Sequence, residues 1–137
     1  MPAVYSADGK ENCAEEAVEE KTDFIQKLER GEKVFVVELD PPFDVNDTKL
    51  MEGAALLRDI NVDMITLADS PLARPRADSI ASAIKMRYTR QMEAMPHICC
   101  RDRNMIAHRS QLLGMQMNGL RHALIVTGDP IARGDRE

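Results

Sequence analysis

Hydrophobic and polar positions follow two alternating rhythms along this chain. From Glu11 to Glu32 the rhythm is helical, with Ala14, Ala17 and Val18, then Phe24, Ile25 and Leu28, and Gly31 as a stop. The first ten residues have no periodicity and read as a flexible tail, with 11–137 as the folded domain. At Val34 the rhythm changes to a β-branched run, VFVVEL (Val34–Leu39), ended by Pro41-Pro42. Asp47–Ile60 returns to helical spacing, with Leu50, Met51, Ala54 and Leu57 on one face. MITLAD (Met64–Asp69) is a second strand. Arg76 to about Glu93 is a helix, with Ile80, Ala83, Ile84 and Tyr88 inward. HICCRD (His97–Asp102) is a third strand. Asn104 caps a helix to Asn118 carrying Ile106, Leu112, Leu113 and Met117, and Gly119 ends it. HALIVTGD (His122–Asp129) is the fourth strand, and Pro130–Glu137 reads as loop.

The order is helix, then strands alternating with helices, which implies an α/β fold with a parallel sheet. Strand starts at 34, 64, 97 and 122 are spaced by 30, 33 and 25 residues, close to one βα unit each. The strands lack clean alternation, which fits burial on both faces. A complete doubly wound domain also suits the 137-residue length. Pro41-Pro42 and the polar strand ends argue against it.

Charge changes this picture little. The chain carries −5 overall, and residues 1–33 hold nine acids and five bases, so the remainder is near neutral at −1. The acidic front reads as a solvated face. An acidic chain lacks the basic footprint of a nucleic-acid binder. No apolar run approaches the ~18 residues of a membrane span, and MPAVYSADGK has no signal-peptide core. Cys13, Cys99 and Cys100 make a poor disulfide framework. Cys99 and Cys100 read as small buried packing residues, and reduced thiols point to the cytoplasm. No C-x-x-C pair exists, and His97, His108 and His122 lack metal-ligand spacing, so no metal is expected.

In parallel α/β sheets chemistry gathers at the carboxyl ends of strands. Those ends carry Glu38; Thr66 and Asp69; Arg101 and Asp102; and Thr127, Gly128 and Asp129, while His97 opens the third strand. Glu38 is flanked by Val36, Val37 and Leu39, so partial desolvation and a raised pKa suited to proton donation are expected. A strand-end carboxylate capping a helix or paired with an arginine is the plainer reading. Gly128 can admit a ligand to the backbone, or simply make a turn. His97 is read either as a satisfied buried histidine or as a site residue. Asp129 is a second carboxylate for a two-acid site. Arg101 and Arg103 can hold a phosphate or make ordinary ion pairs. No G-x-G-x-x-G or G-x-x-x-x-G-K-[ST] loop is present. By parity, Glu38, Thr66, Thr127 and Asp129 are expected on one inner face.

The segments VFVVELDPP (34–42), DMITLADSPLARPR (63–76), MPHICCRDRN (95–104) and NGLRHALIVTGDP (118–130) together resemble the methylenetetrahydrofolate reductase family. More closely, they resemble the reductase half of bacterial homocysteine methyltransferase/methylenetetrahydrofolate reductase fusions. The resemblance implies the first four strands of a TIM (β/α)8 barrel holding FAD at its C-terminal face. It implies NAD(P)H as co-substrate and reduction of 5,10-methylenetetrahydrofolate to 5-methyltetrahydrofolate. By the same resemblance Glu38 is the general acid and Asp129 the second catalytic carboxylate. Thr66, Asp69, His97, Thr127, Gly128 and Asp129 contact the cofactor. Thr127 stands where the family often has arginine. Strands five to eight are not found in the sequence, so an incomplete barrel is expected. It would be completed by self-association or a complementary half-barrel. The alternative is an inactive half-barrel serving assembly.

Overall fold

A computed structural model describes residues 4–5, 11–12 and 22–131 of the chain. The chain divides into two compact units, 1–33 and 34–137. In the first, Val4–Tyr5 and Glu11–Asn12 pair as a short antiparallel ladder. Helix α1 spans Asp23–Glu29. The Thr22 hydroxyl accepts the Ile25 N–H at 3.5 Å, and Gly31 takes a left-handed φ of 71° just past the end. The helix expected from Glu11 is therefore corrected, because Glu11–Asn12 is a strand and the cap lies at Thr22. Cys13, Ala14, Ala17 and Val18 lie outside the described residues.

The second unit is built from βα repeats. Its strands are β1 (Val36–Leu39), β2 (Met64–Leu67), β3 (Ala94–Cys99) and β4 (Leu124–Val126). Its helices are α2 (Thr48–Asp59), α3 (Ser79–Arg90) and α4 (Met105–Met117). All strand pairs are parallel, in the order 1-2-3-4. That order rules out the doubly wound alternative, which would place the first strand between the second and third. It is the order of the first half of a TIM barrel. Helix starts follow their polar caps. Asp78 accepts the Ala81 N–H at 2.8 Å, and Asn104 accepts that of Ala107 at 3.0 Å. No described helix is long and apolar enough to cross a membrane.

Three strand boundaries differ from the expectation. Val34 and Phe35 precede β1, and β4 ends at Val126, before Gly128 turns the chain at φ 91°. The third strand begins three residues earlier than expected, at Ala94, and runs through Pro96. Pairing with β4 starts only at His97, so the missing proline N–H leaves no gap in that ladder.

The core lies between the sheet and α2 and α3. Ile65, Leu67 and Ile98 meet Leu50, Met51, Ala54, Ile80, Ala83 and Met86 there. β2 is buried along its whole length, as expected for a strand with neighbours on both sides. β1 and β4 each have one neighbouring strand, and exposure follows: Val36 is 42% and Leu124 43% exposed. Burial on both faces thus holds for the central strands and fails at the edges.

Two helix faces differ from the pattern. Tyr88 is exposed, and Met86, two residues earlier and fully enclosed, takes the inward place. On α4 the expected stripe of Ile106, Leu112, Leu113 and Met117 is exposed, and Met115 alone among its residues is buried. No described strand lies beyond β4. Replacing Met86 by Ala is expected to cost about 2–5 kcal/mol of stability, against under about 0.5 kcal/mol for Tyr88→Ala. Urea unfolding of both variants checks this, and equal losses would contradict the assigned face.

Candidate active site

Parallel pairing in register gathers the strand ends on one rim. A cleft of about 280 Å³ opens there. Glu38 from β1, Asp69 after β2, His97 on β3, and Thr127, Gly128 and Asp129 after β4 all line it. Six of the seven candidate site residues thus meet in one place. The seventh, Thr66, pairs in register with Glu38 but is buried and does not line the cleft.

Glu38 is not desolvated. Its side chain is 60% exposed, because Val37 and Leu39 point to the opposite face and β1 is an edge. The His97 imidazole lies beside it, with Nε2 3.6 Å from Oε2. The His97 side chain is only 13% exposed, and Nε2 is buried without a hydrogen-bond partner. The Ser79 hydroxyl holds the strand beneath it, donating to the His97 carbonyl at 2.7 Å.

Asp69 has a different surrounding. Its side chain is 5% exposed. It accepts the Cys99 N–H at 2.9 Å and pairs closely with Arg103. Arg103 reaches on to Asp78 at 3.7 Å. The Asp69 hydrogen bond raises the guanidinium pKa of Arg103 above its ordinary value. Arg101 is engaged with Asp102 at 2.6 Å and donates to the Asp129 carbonyl at 2.6 Å. The Arg101 hydrogen bond holds the Asp102 carboxyl below its usual range. Of the two readings of Arg101 and Arg103, ion pairing is the one found.

Past β4 the inner-face parity fails. His97 pairs with Leu124 and Cys99 with Val126, so Leu124 and Val126 share their face, while Ile125 matches Ile98 on the helix side. Thr127 therefore does not continue the face of Glu38 and Thr66. Gly128 breaks the alternation, and a Cβ there would meet Cys99 Sγ at 2.2 Å. The space beside this glycine holds a buried thiol, so packing as well as the left-handed φ requires glycine at 128. Cys100, also expected to be buried, is exposed because it follows the strand end. Asp129 returns to the cleft, where its carboxylate accepts the Leu72 N–H at 2.6 Å. Leu72 and its neighbours Ser70 and Ala73 have φ of 56°, 50° and 56°, a strained left-handed run held in part by this bond.

Nothing in the pattern marked Ser79 or the Leu72 loop as part of the rim. Asp78, as a cap, was the available signal for Ser79. Among the described residues, no group of three His, Cys, Asp or Glu side chains could hold a metal ion.

Sequential parallel strands with carboxylates and a histidine at their carboxyl rim define a barrel-type α/β enzyme module. The chain belongs to the methylenetetrahydrofolate reductase family, whose model, described as "Methylenetetrahydrofolate reductase", matches residues 23–137. That membership supports a folate-related reductase function, an oxidoreductase. No curated protein matches the chain.

Because both its partners are protein groups, Asp69 holds the ends of β2 and β3 together. Asp69→Ala is expected to cost on the order of 3 kcal/mol, since it leaves Arg103 and the Cys99 N–H unmatched. Thermal and urea unfolding check this, and an unchanged midpoint would contradict it.

Proposed function

We propose that this chain supplies the first half of a flavin-dependent reductase barrel. In this reading it converts 5,10-methylenetetrahydrofolate to 5-methyltetrahydrofolate with NAD(P)H as reductant. The observation that carries the reading is the convergence of Glu38, His97 and Asp129 on one strand-end cleft in a chain of this family. The cleft's polar lining of Glu38, His97, Thr127 and Asp129 suits a polar heteroaromatic ring. Its volume, at the lower end for small-molecule sites, suits the ring of FAD rather than the whole dinucleotide. When bound, FAD supplies the hydride chemistry.

The chain's own residues supply the proton and the field. Glu38, as a carboxylic acid, gives its proton to the bridge nitrogen of the folate. The bond from that nitrogen to the methylene carbon then breaks, its electron pair staying on nitrogen. A cationic iminium remains, and the Asp129 carboxylate facing the cleft stabilises it electrostatically. Glu38 is largely exposed in this half-barrel, and whatever covers the cleft would desolvate it. Asp69 serves by holding the rim, since both of its oxygens are engaged. Exposed apolar residues on α4 and at the β4 edge support completion of the sheet by self-association or a complementary half-barrel.

Titration of the chain with FAD, followed by flavin absorbance and light scattering, tests this reading. A spectral shift accompanied by an assembly larger than the monomer is expected. Glu38→Gln should keep the shift and lower folate reduction at least 100-fold while sparing NAD(P)H oxidation by the flavin. No spectral change, or equal loss of both half-reactions, would contradict it.

A further inference from the structure

We propose that the loop after β2, residues 70–73, is an autoinhibitory latch on the cleft, fastened by the Asp129 carboxylate and opened by a ligand that takes this carboxylate. The latch rests on the reading of the cleft as the flavin site only for the choice of ligand. Its first support is the path of the loop. β3 lies between β2 and β4, yet Leu72 donates its N–H to Asp129 Oδ2 at 2.6 Å. The loop therefore reaches from the end of β2 past that of β3, and Pro71 and Asp129 both line the cleft. The second support is the backbone that this path demands. Ser70, Leu72 and Ala73 take left-handed φ of 50°, 56° and 56°, and none is glycine. Such a run persists only while its surroundings enforce it. The loop's other bonds are short-range: the Ser70 hydroxyl donates to Asp69 at 3.4 Å, and the Arg74 N–H to the Pro71 carbonyl at 3.2 Å. The Leu72 side chain is 77% exposed and adds little packing. It is the bond to Asp129 that ties the run to another strand end.

Asp129 is held in two separate ways. Arg101 donates to its main-chain carbonyl at 2.6 Å, and Arg101 is itself paired with Asp102. The backbone at 129 is thus fixed independently of the carboxylate, which can turn from Leu72 to a ligand without moving the strand end. One carboxylate therefore has two claimants. A planar ring or a cation that presents an N–H in the cleft competes with Leu72 for it, and the strained run relaxes when it loses the bond. The latch lowers apparent affinity in proportion to the fraction of chains that stand open. A merely positioning role for the Leu72 N–H has the opposite sign: it would hold the carboxylate ready, and its loss would weaken binding.

Leu72→Pro in the full chain tests the latch, because proline has no N–H and cannot take a positive φ. Leu72 is exposed, so the variant removes no core packing, and Asp129 stays intact. FAD titration should show binding tightened by about tenfold, the gain when a competent fraction of about one in ten becomes fully open. FAD binding that is measurable yet unchanged or weaker would overturn the latch. Asp129→Ala, followed by amide hydrogen exchange, gives a second reading without ligand. The Leu72 amide should exchange about tenfold faster while the Ile65 amide, bonded to the Glu93 carbonyl in the sheet, keeps its rate. An unchanged rate at Leu72 would overturn the latch as well. Faster exchange at Leu72 in a chain that binds no FAD in either form would support the latch and overturn the reading of function instead.

Discussion

Parallel pairing in register is the constraint from which the rest of the second unit follows. Val36 to Leu39 match Met64 to Leu67 residue for residue, and His97 to Cys99 match Leu124 to Val126. Four carboxyl ends therefore come to one rim, whatever the loops between them do. The same pairing decides burial. The central strands have a neighbour on each side and bury Ile65, Leu67 and Ile98, while Val36 and Leu124 on the edges stay open. Functional polarity at the rim and apolar exposure at the edges are two results of one geometry.

A rim that collects carboxylates must keep them from repelling one another. Three solutions are visible, and they differ in kind. Asp69 is matched by a cation and a backbone N–H and is buried, so it serves structure. Asp129 is tied to the N–H of a strained loop, which places a charge at the cleft and couples it to that loop. Glu38 stands in water beside a buried imidazole. The division of labour among three acids of similar chemistry follows from which partner the fold supplies to each.

The order and type of the elements in the second unit were readable because each has its own apolar period. The polar cap Asn104 marked its helix start, whereas the helix expected from Arg76 starts three residues later, at Ser79, behind the Asp78 cap. The gathering of Glu38, Asp69 and Asp129 was readable from a single rule about strand ends, whereas His97 joins them because its strand starts at Ala94 and puts it near the carboxyl end. What the pattern did not carry was lateral context. Whether an apolar position is covered depends on having a neighbour, and linear spacing does not say that β1 and β4 are edges. Glu38 was expected to be desolvated and α4's stripe to be covered for that reason. The face expected for Thr127 failed for another: the register puts Leu124 and Val126, not Ile125, on the inner face, and spacing alone does not fix which alternate residues those are. Near the N-terminus, the helical spacing overran a cap at Thr22 that the pattern did not weigh.

The central claim is that the rim, and no other part of the fold, is the ligand site. Amide chemical-shift mapping of isotope-labelled chain with FAD tests it most directly. The account predicts perturbations clustered at residues 38–40, 68–72, 97–101 and 126–129. Shifts centred on Arg87, Gln91 and Glu93 at the opposite end of the strands, or shifts absent from the rim at saturating FAD, would contradict it.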